Sequence, residues 1–446
     1  MFVHLTQPES KNKKLMKKKV QNYLLLIAIS ACSIASSAGK DLNGNKTDLP
    51  GKKSWEPVLQ YTLDLHKKST HPATYPFDRP WEEIGPGYWF APAFGHWDIV
   101  HQIFDAFVYD KQHGLDQLYN DIKNQEPHGL LPGSIWFPRK DGKVKAVRWN
   151  KTTEGHPPMW VYAVDEYMRL TGNREILPDF FTALVRQITW FENERKAKGK
   201  GFFYHDIIDR HWESGVDAGV RFDEADLGPQ ACIDATSHVC ALYHFAGEWA
   251  KELGLKSTYF KEREKSLKDF INNELFNNKK QCYFDSWSVN DSSKQHYVFE
   301  NFWPMVVGIA SKERADYLID NFILNPKHFL AVQGVTTVSM SDPKFELRMW
   351  RGPVWNSMTF WIVKGCIHYG RYDAAKILLE RALDSTAKQF AQTGEIWEFY
   401  HPHGGDPKKV KRKGNIGRDY PSPAYLGHNP LLAMAKLYDE VKKKAK

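Results

Sequence analysis

Two short acidic motifs, far apart in the chain and crowded with aromatics, carry the clearest chemistry. The first is Trp212-Glu213-Ser214-Gly215-Val216-Asp217 and the second is Trp397-Glu398-Phe399-Tyr400-His401-Pro402. Aromatic faces stack on sugar rings. A carboxyl group pressed against such faces loses water, and desolvation strengthens its hold on a proton, so it can keep one for a leaving oxygen near neutral pH. Two carboxyl groups facing one another are what cleavage of a glycosidic bond requires.

Groups of this kind need a rigid frame. From Trp55 onward helical periodicity dominates. Apolar residues recur at three- and four-residue spacing over Gly95–Tyr109, Pro158–Leu170, Ile176–Glu192, Ala231–Leu253, Ser257–Leu275, Val354–Tyr369 and Tyr372–Gln389. Gly155-His156-Pro157-Pro158 and Arg351-Gly352-Pro353 place Pro at a helix start. Alternating β-branched runs are scarce, and Val332–Met340 is the best candidate strand. Helices in hairpin pairs over residues 54–446 predict an all-α fold. The arrangement expected is an α-toroid, with one helix of each hairpin inside, one outside, and a funnel of loops at one end. An extended solenoid would show a fixed repeat of similar residues, and none is visible.

The chain has 446 residues, 42% hydrophobic and 14% aromatic, enough for a large core. Its 16 Trp, 20 Tyr and 26 Phe suit a carbohydrate-handling protein, although a large helical core also uses aromatics. The net charge of +8 is concentrated in local clusters rather than spread along a stripe. No basic stripe interleaved with aromatics is present, so no nucleic-acid partner is expected. Lys408, Lys409, Lys411, Arg412 and Lys413 form one basic cluster. It reads as a solvated loop, or as a field that attracts an anionic glycan.

Lys17-Lys18-Lys19 followed by Tyr23–Ala31 reads as the basic and apolar regions of a secretory signal, with Met16 a fitting start. Residues 1–38 are therefore expected to be a signal peptide and 39–53 a solvated linker. Two exits fit. Ser36-Ser37-Ala38 suits cleavage, and Ile29-Ser30-Ala31-Cys32 suits a lipoprotein signal ending before a lipidated Cys32, which would be the only membrane anchor. Export across the inner membrane is expected, to the periplasm or to a lipid-anchored place at the cell surface. Cys232, Cys240, Cys282 and Cys366 show no metal-ligand spacing and read as buried small hydrophobes.

Five stretches occur in an order that resembles glycoside hydrolase family 63, particularly its compact mannosylglycerate-hydrolase-like members, with trehalases more distant. They are Phe94-Gly95-His96-Trp97-Asp98, His156-Pro157-Pro158-Met159-Trp160, Trp212–Asp217, Trp350-Arg351-Gly352-Pro353-Val354-Trp355 and Glu398-Phe399-Tyr400. The resemblance implies an (α/α)6 barrel, hydrolysis of α-linked oligosaccharides with inversion, and no cofactor or metal. Carried over to this chain, it makes Asp217 the acid and Glu398 the base. Trp97 and Asp98 resemble a substrate-contacting pair, His156, Glu213 and Arg351 are further candidate contacts, and Trp212, Trp355, Trp397 and Tyr400 are candidate walls, at least one of which is expected to be core. Glu213 fits either substrate contact or orientation of Asp217. Arg351 fits either a sugar or carboxylate contact or an ion pair that orients a catalytic carboxylate.

The chain departs from the pattern after the acid, where Ala218-Gly219-Val220 replaces the usual Asn-Ser-Pro, and at Asn356, where Pro is common. His96, His156, His205, His211, His238, His401 and His403 cluster near the motifs. They sustain a rival reading, elimination on a uronate with Tyr or His as base and Arg351 neutralising the carboxylate. A third reading is a glycan-binding protein without catalysis, which predicts a lost acid or base.

Overall fold

A computed structural model describes residues 49–89, 92–137, 139–140, 143–144, 147–148, 154–209, 212–413 and 419–445. The leader, Cys32, most of the linker and His211 lie outside the described residues.

Among the described residues, twelve helical segments are the frame. They are α1 (Glu56–Ser69), α2 (His96–Tyr109), α3 (Lys111–Lys123), α4 (Trp160–Thr171), α5 (Leu177–Glu194), α6 (Ile233–Glu252), α7 (Thr258–Glu274), α8 (Trp303–Val306), α9 (Lys312–Leu318, continued by a π turn over Ile319–Ile323), α10 (Asn356–His368), α11 (Tyr372–Thr393) and α12 (Leu431–Val441). They form an (α/α)6 toroid. Helices α2, α6 and α10 are buried on nearly every side. By contrast, α7 buries only Phe260, Leu267, Phe270 and Ile271, a single face. Burial all round marks an inner helix and one apolar stripe marks an outer one.

The inner ring runs α2, α4, α6, α8, α10, α12 and back to α2. Tyr162 of α4 meets Phe245 of α6 edge-on, with ring centroids 4.8 Å apart. The last inner helix, α12, packs on α1, where Trp55 meets Tyr438 at 4.9 Å. The sixth hairpin is thus assembled from the two ends of the helical region.

The local signals are plain. Pro178 lies in the first turn of α5, where its missing N–H costs nothing. Gly172 and Gly394 end α4 and α11 in the left-handed conformation (φ 71 and 69). Val332–Met340 is not a strand. It is irregular chain touching its neighbours through isolated bridges, Leu330 to Val335, Val298 to Val338 and Thr336 to Val354, because it closes a loop between hairpins instead of entering a sheet.

One sheet matters for the site. Antiparallel strands β1 (Ala93–Gly95), β2 (Ser134–Trp136) and β3 (Val147–Arg148) lie in that order, with Ala93 opposite Trp136 and Gly95 opposite Ser134. Strand β1 runs directly into α2. No helix among the described residues is long and apolar enough to cross a membrane.

Candidate active site

The singled-out motifs precede or open inner helices in the chain: Asp98 lies in the first turn of α2, His156 and Arg351 a few residues before α4 and α10, and Asp217 and Glu398 in the longer segments that lead to α6 and α12. At Asp98, in a first turn, the unpaired N–H groups and positive pole of the helix dipole favour a carboxylate.

There the sheet and the loops enclose a cavity of about 230 Å³. Asp98, Asp217, His156 and Lys413 reach it, with the rings of Tyr88, Trp136, Trp212 and Tyr425 as walls. Trp136 is oriented by its indole N–H, which donates to Ser134 Oγ at 2.8 Å. Trp212 meets His156 edge-on at 5.2 Å.

Asp98 sits in a cradle that only glycine permits. A Cβ on Gly95 or on Gly427 would fall 2.5 Å from its carboxylate oxygens. Tyr425 donates to Asp98 Oδ1 at 2.7 Å, and His428 Nε2 lies 3.4 Å away. Burial pushes the Asp98 carboxyl up to about 7. The Tyr425 hydroxyl acts against this, and the charges of Glu398 and Asp217 reinforce it. The three carboxyl groups therefore form one electrostatic unit. Burial also pushes His156 down to about 3, so its ring is neutral.

Asp217 is partly exposed and ion-paired with Lys413. The turn presenting it passes through Ala218 at φ 58, left-handed backbone that disfavours a residue with a Cβ. Arg351 clamps that turn. Its guanidinium donates to Ala218 O at 3.1 Å and to both oxygens of Asp223 at 3.1 and 2.7 Å, and it pairs with Glu346. The residues that depart from the usual pattern after the acid are thus held by a cation from another hairpin.

Glu398 is 2% exposed and is not among the side chains lining the cavity. Arg412 grips it through Nε and Nη2, each at 2.9 Å, and Ser422 donates to Oε2 from both its N–H and its hydroxyl at 3.0 Å. Such a carboxylate is fixed in one orientation.

Several residues expected to contact substrate lie outside the cavity lining. Trp355 stacks on Trp350 at 3.7 Å and gives its N–H to Met349 O, so it is core. Tyr400 is buried, donating its hydroxyl to Asn429 at 3.0 Å. Trp397 donates to Thr393 at 3.2 Å and edges a separate surface cleft with Trp89 and Tyr420. Trp97 is 3% exposed and packs near Trp303 and Trp361 beneath the cavity. Aromatics at helical spacing mostly fill cores, and these do.

Glu213 lies away from the cavity lining. It is fully buried, accepting from Arg195 at 2.7 and 2.9 Å, from Gly155 N at 2.9 Å and from His205 N at 2.6 Å. It ties the loop bearing His156 to the loop bearing Asp217. The residues missed by sequence reasoning are Tyr88, Trp136 and Tyr425, which carried no local signal, and Arg412 and Lys413, visible only as members of a basic cluster.

Among the described residues, Cys232, Asp234 and Asp285 are close enough together to hold a metal. Arg221 fills that place as the cation, paired with Asp234, with Asp285 at 2.7 Å and with Glu300 at 3.0 Å. All four cysteines of the body are free and buried.

Carboxyl groups beside aromatic walls at the mouth of a helical toroid are the groups that cleavage of a glycosidic bond uses. Over residues 91–421 this chain matches, and belongs to, the family described as the mannosylglycerate hydrolase MGH1-like glycoside hydrolase domain. It is 22% identical over 300 residues to the mannosylglycerate hydrolase of Rubrobacter radiotolerans, covering 65% of this chain and 62% of that one. With another curated relative the share is 51%, so the chain spans about half to three fifths of the length of the two. The GH63 mannosylglycerate hydrolase of Thermus thermophilus, solved with glucose, superposes with a TM-score of 0.63 at 15% identity, covering 85% of this chain and all of that one. Neutral trehalase Nth1 of Saccharomyces cerevisiae gives 0.58 at 15% identity, covering 87% and 80%.

Proposed function

We propose that this protein is an inverting glycosidase that hydrolyses short α-linked glycosides, with Asp217 as acid and Glu398 as base. The observation that carries sugar cleavage at this place is the cavity itself; Glu398, held by Arg412 and Ser422 outside the cavity lining, enters as the base through the family resemblance. The cavity has the room of one sugar ring, aromatic walls in Trp136, Trp212 and Tyr88, and two carboxyl groups, Asp98 and Asp217, reaching it. Membership of a glycoside hydrolase family supports the reaction type, and the relatives' names favour a sugar linked to a small hydroxy acid such as glycerate.

In this mechanism Asp217 gives its proton to the glycosidic oxygen as the bond to the anomeric carbon breaks. Glu398 takes a proton from the water that attacks the opposite face of the sugar. The anomeric configuration inverts, and the two carboxyl groups need a gap of ~6.5–9.5 Å to admit that water. Arg412 and Ser422 hold the Glu398 carboxyl in one orientation. Asp98 is suited to receive hydroxyl groups of the sugar.

Elimination has less support. Arg351, its proposed carboxylate clamp, is engaged by Asp223, and burial pushes the Tyr88 and Tyr425 hydroxyls up, away from use as bases. Mass spectrometry of products from a panel of α-linked and uronate-containing oligosaccharides decides the matter. Products summing to substrate plus one water support hydrolysis, and an unsaturated product without added water refutes it. Asp217→Asn and Glu398→Gln should each lower turnover by orders of magnitude with the fold intact. Near-normal turnover in either variant would sink its assigned role.

The leader supports export, with the mature protein periplasmic or anchored through Cys32. Metabolic labelling with a fatty acid separates the two, since Cys32→Ser abolishes labelling only in the anchored case.

A further inference from the structure

Neighbours in sequence line two different hollows. Tyr88 is a wall of the active-site cavity, and Trp89 lines a separate cleft of about 660 Å³. Glu398 is gripped by Arg412 and Ser422, while Trp397 lines the same cleft as Trp89. Among the described residues none lines both hollows.

The last turn of α11 puts Gln389, Gln392 and Thr393 on one face of the cleft, at three- and four-residue spacing. Glu395, Asp406 and Lys408 add charged groups around it. Trp89 and Tyr420 form an aromatic wall. Their rings meet edge-on at 5.2 Å, and the Trp89 N–H donates to Tyr420 O at 3.2 Å. Both are half-buried. Trp397, 3% exposed, is the floor, with the Lys408 ammonium 5.9 Å from its ring centre.

One group of the cleft lacks a partner in the fold. Gln389 is 5% exposed, and among the described residues its side-chain amide makes no hydrogen bond; its backbone carbonyl accepts from the Thr393 hydroxyl at 3.0 Å. One turn earlier on the same helix a buried amide is served differently: Gln333 donates to Thr386 Oγ1 at 2.9 Å. Leaving a buried amide unpaired costs free energy, and most are paired. A ligand in the cleft supplies the bonds.

An amide sets a donor and an acceptor side by side. Two adjacent hydroxyls of a sugar match it, one accepting and the other donating, and the aromatic wall suits the C–H face of the same ring. Glu395 and Asp406 stand against Lys408, so no field of one sign selects an ion. The cleft has nearly three times the volume of the active-site cavity, room for a short chain of rings instead of one.

We propose that this cleft is a second glycan-binding site, separate from the catalytic cavity, in which the Gln389 amide and the Trp89–Tyr420 wall hold a neutral short oligosaccharide. The glycan held there is bound without being cut. The proposal does not depend on the roles of Asp217 and Glu398.

The test is calorimetry with maltotriose and with α-mannotriose on the full chain carrying Asp217→Asn, which removes turnover. At least one probe should bind, and adding either Gln389→Leu or Trp89→Ala should weaken that binding at least tenfold. No binding, or binding that either change leaves unmoved, overturns the proposal. Gln389→Leu alone should leave the unfolding midpoint unchanged or raise it, because the amide has no bond to lose. A fall of several degrees would place the partner of the amide inside the fold and overturn the proposal. With Asp217 intact, Gln389→Leu should cleave a short α-glycoside as fast as wild type. If wild type cleaves no glycoside yet binds a probe through Gln389, the glycosidase reading fails and the second site stands; cleavage without binding that depends on Gln389 gives the reverse.

Discussion

The Tyr425 hydroxyl donates to Asp98 Oδ1 at 2.7 Å, joining residues 327 positions apart on the floor of the cavity. This bond favours the ionised form of a carboxyl that burial holds near 7. If ionised Asp98 receives sugar hydroxyls, kcat/KM rises with pH through about 7. Removing the donor in Tyr425→Phe should move that limb upward by about one pH unit. A pH profile of kcat/KM for the two proteins checks this, and a limb that moves downward refutes it.

Arg412→Lys should keep the charge beside Glu398 and lose the fork that orients it. We expect kcat to fall roughly 10- to 100-fold with modest change in KM, since the group lost positions a catalytic carboxylate rather than the sugar. Arg412→Ala should also destabilise the fold by about 3–5 kcal/mol, because it strands a buried carboxylate. Steady-state kinetics and denaturant unfolding separate the two effects.

Glu213→Ala removes the acceptor for Arg195, Gly155 and His205 at once. It takes from the buried Arg195 guanidinium its carboxylate partner, at a cost of about 3–5 kcal/mol. A fall in the unfolding midpoint together with lost activity is expected. Unaltered stability would argue against the orienting role.

Trp212 and Trp355 should part company. Trp212→Ala removes a cavity wall and should raise KM, while Trp355→Ala empties a stacked core and should cost about 3–5 kcal/mol of stability. Thermal unfolding beside kinetics on both variants gives the comparison. The reverse pattern would mean that the wall and core assignments are exchanged.

Stability should also depend on pH through a buried network away from the cavity. His66 Nδ1 meets Glu82 at 2.6 Å, its Nε2 meets Asp105 at 3.2 Å, and His113 meets Glu82 at 2.8 Å. These acids outweigh the burial of His66 and raise it to about 10, while His66 and His113 outweigh the burial of Glu82 and lower it to about 2. The His66 contribution is full below its unfolded value of roughly 6.5 and is lost as pH rises through about 10. The Glu82 contribution is present above roughly 4.3 and is lost as pH falls toward 2. Asp105, raised by burial, subtracts at neutral pH. Unfolding midpoints from pH 2 to 10 should fall at both ends, and His66→Gln should remove most of the alkaline fall.

The sequence alone determined the helical frame and the two acidic motifs, because both are written in local spacing. Seven helices read from apolar periodicity lie within a few residues of their observed bounds, α2 over His96–Tyr109 among them. Other helices were passed over. Polar α3 buries only Leu115 and Leu118 among its large apolar side chains, α9 has seven residues, and α1 finds its partner α12 only when the ring closes. Trp212, Trp355 and Trp397 are alike in type and in polar-aromatic setting, yet one is a wall, one is core and one edges an outer cleft. That choice depends on which way each loop turns as it enters an inner helix. Likewise Arg351 finds Asp223 across 128 residues and Tyr425 finds Asp98 across 327. Periodicity and motif spacing register neighbours along the chain. The partners of a buried charge are set by the closing of the toroid, and only the tertiary structure decided them.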